Sequence, residues 1–167
     1  MKKLITIIAL LIINYNYSQE EWINFKGDSY TIEHPKNWEV NTSGDYSTSL
    51  LISSELKEDD LFRENINLII QDLNKLNMKM TMAEFVDITK SQLSSSLNDG
   101  EIISSEGNKE RHTMVVKGKM NDTKLKFKQV YILKNNTFYI LTFTALEDTY
   151  DDFITRGDKI INSFTIK

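Results

Sequence analysis

Four strand-like segments dominate the second half of the chain: Ile102 to Glu106, His112 to Met120, Leu125 to Lys134 and Phe138 to Ala145. They are separated by Gly107-Asn108, Asn121-Asp122 and Asn135-Asn136. Glycine, asparagine and aspartate tolerate the left-handed backbone that short hairpin turns demand, so each pair marks a chain reversal. Successive reversals generate an antiparallel meander, because parallel neighbours would need a long crossover between each pair of strands.

The first half adds further strands. Tyr30, Ile32 and His34 alternate with Thr31 and Glu33, Pro35 interrupts, and Trp38 with Val40 resumes, which predicts a strand, a tight turn and a second strand. Ser49 to Ser54 is a third apolar segment, and Asn65 to Leu73 places Ile66, Leu68 and Ile70 on one face of a fourth. The acidic run Glu55 to Asp60 between them reads as a surface loop.

Two helices are expected. Thr81 with Glu84 forms a capping-box pattern ahead of a stripe of Met82, Phe85, Val86, Thr89, Leu93 and Leu97, ending near Asp99 and Gly100. In the second, Tyr150, Phe153, Ile154, Gly157, Ile160, Ile161 and Phe164 repeat at three- and four-residue spacing, with Thr149 as cap and Asp151 and Asp152 as first-turn acids. A meander with two amphipathic helices predicts the α+β class, an antiparallel sheet flanked by helices in an α/β/α sandwich.

The N-terminus carries an export pattern: Lys2 and Lys3, an apolar run from Leu4 to Ile13 broken by Thr6, and a polar stretch from Asn14 to Gln19. The run is about half of the roughly 20 apolar residues a spanning helix needs. A cleaved signal peptide over residues 1–18 and one domain over 19–167 are expected, giving a secreted or periplasmic protein with no transmembrane segment in its mature form. With no cysteine in the chain, neither lipid attachment nor disulfides are available, and the core rests on burial. Losing Lys2 and Lys3 leaves 18 basic against 24 acidic side chains, a net charge of −6, which argues against nucleic acid as a partner.

Catalytic signatures are missing. The only histidines are His34 and His112, with no zinc-ligand spacing, so they are weak metal candidates and are read as structural residues. There is no nucleophile elbow, Ser94 to Ser96 lie late on a helix, and Gly118-Lys119 lacks the rest of a phosphate-binding loop. Glu58-Asp59-Asp60 and Asp148-Asp151-Asp152 lack the alternating ligands and glycine of an EF-hand. Asn41-Thr42-Ser43, Asn121-Asp122-Thr123 and Asn135-Asn136-Thr137 are formal glycosylation sequons, read as chance. No cofactor is expected.

One feature stands apart. If Asn121-Asp122 is a two-residue turn, Lys119 faces Lys124 and Lys117 faces Lys126, and with Lys128 five lysines share one face. Like charges directly opposite are destabilising. The face is read either as solvated protection of a sheet edge or as a docking patch for a protein or anionic partner.

Three stretches resemble the PsbP-like family: Tyr30-Thr31-Ile32-Glu33-His34-Pro35-Lys36-Asn37-Trp38-Glu39-Val40 as an opening hairpin, Phe62-Arg63-Glu64-Asn65-Ile66-Asn67-Leu68 as a central strand entry, and Tyr150 to Phe164 as the closing helix. The resemblance implies an α/β/α sandwich and a binding or accessory role. That family includes extrinsic subunits of the oxygen-evolving complex and exported bacterial relatives, and none is a well-established enzyme. It transfers no catalytic residue. The sequence reading is therefore an exported, non-enzymatic accessory protein of the cell envelope. A metal-dependent enzyme or hydrolase using His34 and His112 is the alternative, and a small-ligand or lipid carrier, suggested by the many methionines and aromatics, is a third.

Overall fold

Two turns set the register of the second half of the chain. Asn121, Asp122, Asn135 and Asn136 have φ of 49°, 65°, 51° and 57°, the left-handed geometry of a type I′ hairpin turn, whose twist matches that of the flanking strands. In the computed structural model, which describes residues 20–45, 48–56 and 62–167, these pairs join β7 (Arg111–Met120) to β8 (Thr123–Lys134) and β8 to β9 (Thr137–Leu146). The preceding reversal, from β6 (Asn98–Gly107) into β7, is held by Asn108, whose Oδ1 accepts from the amides of Glu110 and Arg111 at 2.9 and 3.0 Å.

The meander supplies four strands of a seven-stranded antiparallel sheet. With β3 (Glu39–Asn41), β4 (Leu50–Ser53) and β5 (Asn65–Asp72), its order is β3-β4-β5-β9-β8-β7-β6. A small second sheet, ordered β1-β2-β10, comprises β1 (Trp22–Lys26), β2 (Tyr30–Pro35) and β10 (Thr165–Ile166). The strand–turn–strand unit expected around Pro35 is therefore not a hairpin. The turn exists, with the Trp38 amide donating to the Pro35 carbonyl at 3.0 Å, but β2 and β3 belong to different sheets. Trp38, buried at the crossing, anchors the chain as it passes from one sheet to the other.

Each face of the large sheet holds one helix, the α/β/α arrangement expected from the sequence. On one face, α1 (Met82–Ser96) packs Met82 and Val86 onto Met114, Val116, Tyr131 and Phe138. On the other, α2 (Tyr150–Ser163) and the small sheet enclose a larger core in which Ile160, Ile161 and Phe164 meet Ile66, Leu68, Leu141 and Phe143. Alternation along β8 feeds both: Val130 enters the α2 side and Tyr131 the α1 side.

The helix ends differ in instructive ways. The α1 capping box forms, with Thr81 Oγ1 accepting from the Glu84 amide at 3.3 Å and Glu84 Oε2 accepting from the Thr81 amide at 2.8 Å. That helix stops at Ser96, and β6 starts at Asn98 rather than Ile102, because Asp99 takes a left-handed φ of 54° and the chain turns straight into a bulged strand. At α2 the expected cap is absent: Thr149 is helical, makes no side-chain cap, and among the described residues its buried hydroxyl finds no partner. Phe153, expected in the core, is half-buried. The export segment, residues 1–18, lies outside the described residues, as does the acidic triplet Glu58, Asp59 and Asp60.

Candidate functional site

The β7–β8 hairpin has the predicted register, with Lys119 opposite Lys124, Lys117 opposite Lys126, and Lys128 opposite Val115. The intervening Val116 and Phe127 pack in the α1-side core, so all five lysines project from the α2 side of the sheet. There α2 covers part of the hairpin and leaves the remainder to solvent.

The structure corrects the expectation of a solvated, self-repelling lysine face. Lys117 Nζ lies 3.1 Å from Glu101 and 3.6 Å from Glu147. Lys119 lies 2.8 Å from Asp99, Lys126 3.6 Å from Asp151 and Lys128 2.5 Å from Asp158. These four side chains are only 22–38% exposed, and Lys126 also stands 4.1 Å above the Tyr150 ring. Glu101 holds the Lys117 ammonium above its ordinary pKa, with help from Glu147, and Asp99 does the same for Lys119. Reciprocally, the Lys119 ammonium keeps the Asp99 carboxyl below the usual carboxylate range. Lys124 alone among the five has no ion pair among the described residues. The surface is thus an interleaved array of five lysines and five carboxylates.

The acids were the part that sequence reasoning missed, although one signal was available. Asp151 and Asp158 are seven residues apart on the second predicted helix, hence on one face of it. Glu101 comes opposite Lys117 only because β6 carries a register shift between Asn98 and Glu101, which no pattern in the sequence announces.

The histidines do not converge. His34, 2% exposed on β2, has its Nδ1 2.8 Å from the Pro35 carbonyl, which can only accept, so that nitrogen carries the proton. His112, on β7 at the α1 side, has Nε2 2.8 Å from Ser105 Oγ and its ring stacked on Tyr131 at 6.3 Å between centroids. Burial, and secondarily the Lys90 charge, lowers the His112 pKa. Among the described residues no group of three or more His, Asp or Glu side chains is placed to hold a metal ion. The side chains of Ser94 and Ser95 lie outside the described set.

Methionines and aromatics fill the two cores, with Met82 and Met114 packed beside Phe138 and Tyr131. The apolar recess beside them, of about 390 Å³ and lined by Met82, Val86 and His112, is an open groove between α1 and the β6–β7 turn. The carrier reading draws no enclosed chamber from it.

No protein-family model matches the sequence, and comparison with curated proteins finds no sequence match. Solved structures do match. The solution structure of cyanobacterial PsbP (CyanoP) from Synechocystis sp. PCC 6803 superposes with a TM-score of 0.66 at 14% identity, covering 91% of this chain and 96% of that one. The fold is PsbP-like. Two more proteins share the PsbP-like fold. PA94 of Pseudomonas aeruginosa, of unknown function and described as a candidate regulator, matches with a TM-score of 0.59 at 9% identity over 87% of this chain and 97% of its own. LpqN of Mycobacterium tuberculosis, involved in cell envelope biogenesis, matches with a TM-score of 0.56 at 13% identity over 88% and 91%. Within the PsbP-like fold described here, no helix is long and apolar enough to cross a membrane.

Proposed function

We propose that this protein acts outside the cytoplasm as a non-enzymatic accessory protein of the cell envelope, docking a partner protein through the β7–β8 lysine hairpin. The observation that carries the reading is the interleaved charge array, in which Lys117, Lys119, Lys126 and Lys128 are each matched by a carboxylate and Lys124 is left over. Such a surface recognises by the pattern of its charges rather than by net attraction, and it favours a partner presenting both signs over a polyanion. The Lys2-Lys3 and Leu4 to Ile13 export pattern and the fold shared with an envelope-biogenesis protein support the location.

The test is capture from the host's envelope fraction on immobilised protein, comparing the parent with a Lys119→Gln, Lys124→Gln, Lys126→Gln variant. The parent is expected to retain a partner that elutes with rising salt, since exposed charge pairs are screened. The variant is expected to lose it while its stability changes by less than about 1 kcal/mol, the scale of partly exposed pairs. Equal retention by both proteins at low salt would overturn docking through the hairpin and leave its lysines only their ion pairs within the fold; β7 and β8 lie inside the sheet between β6 and β9, so edge protection is not a role open to them.

A further inference from the structure

Where β3, β4, β5 and α2 meet, Trp38, Ser54, Glu64 and Phe153 line a recess of about 110 Å³, with Glu20, Asn37, Glu55 and Arg156 completing it. Glu64 is 1% exposed. The Ser54 hydroxyl donates to its Oε2 at 3.1 Å. A carboxylate removed from water is stabilised by a cation held close to it.

Both neighbouring cations already have partners. Arg63 donates from Nε to the Ser54 carbonyl at 2.6 Å and pairs through Nη2 with Glu39 at 2.7 Å. Arg156 pairs with Glu20 at 3.0 Å and lies 5.8 Å above the Phe153 ring. Among the described residues no cation is recorded against Glu64 or Glu55. The Arg156 arrangement shows one guanidinium already held between an aromatic ring and a carboxylate at this site. Trp38, 5% exposed, and Glu64 supply a second such ring and carboxylate deeper in the same recess.

We propose that this recess binds a guanidinium group, paired with the Glu64 carboxylate and in contact with the Trp38 ring. The recess is roomy enough for a small planar cation, since about 10–15 Å³ of such space already holds one water. A guanidinium is planar, matches a carboxylate with two donors, and is weakly hydrated enough to leave water for an aromatic wall. The proposal is independent of the lysine hairpin, which lies at another part of the surface, and each can fail without the other.

Agmatine and the peptide acetyl-Gly-Arg-Gly-amide are the probes, titrated into protein carrying Trp22→Phe so that Trp38 is the remaining tryptophan. Both are expected to give a saturable change in Trp38 fluorescence. Binding should weaken about tenfold in Glu64→Gln, as for loss of a charge-assisted pair, while Lys124→Gln leaves it unchanged and n-butylamine binds more weakly than agmatine. Tighter binding of agmatine assigns the guanidinium to a free small molecule, and tighter binding of the peptide assigns it to an arginine of a protein partner. Should Glu64→Gln fail to fold, Glu55→Gln at the exposed rim decides, weaker binding supporting the site and parent-like binding overturning it. No saturable response to either probe, or parent-like affinity in Glu64→Gln, overturns the proposal.

Discussion

Gly157 offers the sharpest check of how α2 sits on the sheet. A Cβ at that position would stand 2.9 Å from both Cγ and Cδ2 of Phe143 and 3.1 Å from Cε2. Comfortable carbon contacts lie at about 3.5–4.0 Å, so helix and ring would have to part by roughly 0.6–1 Å. Phe143 is fully buried with Tyr150 against it at 5.6 Å between centroids, so the ring has nowhere to go. Overpacking of this kind costs about 1–3 kcal/mol. Glycine-to-alanine in a helix interior returns about 1 kcal/mol of propensity. Gly157→Ala is therefore expected to lose up to about 2 kcal/mol. With the ring removed by Phe143→Ala, the same change should become stabilising by about 1 kcal/mol. The two pairs of variants form a double-mutant cycle, read by urea denaturation in trimethylamine oxide so that the truncated proteins stay folded. An equal effect of Gly157→Ala in both backgrounds, or stabilisation of the parent, refutes the close approach of helix to ring.

Phe164→Ala should cost about 3–5 kcal/mol as a large-to-small core change, since the ring closes an aromatic cluster with Tyr30 at 5.5 Å and Tyr139 at 5.8 Å; a loss below about 1 kcal/mol in denaturant melts would place it at the surface. For His112, a folded pKa lowered by burial means that the unfolded chain takes up the proton first as pH falls. Its share of stability is complete above the unfolded pKa of about 6.5 and drains away as pH drops from there toward the folded value. Stability measured from pH 7.5 down to 5.5 should thus fall more steeply in the parent than in His112→Asn, and parallel curves would show that burial does not perturb the ring.

Local rules reached far into this fold, and they stopped where long-range geometry took over. The Asn-Asp and Asn-Asn turns, the Thr81–Glu84 box and the α2 stripe each rest on interactions within a few residues, so the sequence displayed them, and with them the Lys119–Lys124 and Lys117–Lys126 pairings. The crossing at Trp38 was hidden because a turn after Pro35 looks the same whether the next strand pairs back or joins another sheet. Thr149 misled for a related reason. Cap preference is statistical, and a threonine whose backbone turns helical presents its hydroxyl to the core instead of to the first-turn amides. The carboxylates against the lysines come from β6, the β9–α2 connection and α2, separated from their partners by up to 30 residues, as Asp158 is from Lys128. Glu64 carried no signal at all, because one acid at the entry of a strand is unremarkable until the tertiary structure buries it.

Those carboxylates change what the lysine hairpin can do as a docking surface. Lys126 and Lys128 reach Asp151 and Asp158 on α2, so these pairs fasten the hairpin to the helix as well as cancelling its charge. A purely anionic partner would have to displace the internal acids, exchanging each intramolecular pair for an intermolecular one of similar strength and gaining little. A partner with alternating charges need not displace them, since its cations can meet Asp151 or Glu101, the former 89% and the latter 61% exposed, while its anions meet Lys124 and the open sides of Lys119. The cross-strand lysine pairs, unfavourable alone, are then the means by which the sheet sets two like charges side by side at fixed spacing. Specificity on such a surface comes from the register of the β7–β8 turn, so inserting a single glycine between Asn121 and Asp122 would scramble the charge pattern while leaving every charged residue and the net charge of the protein intact.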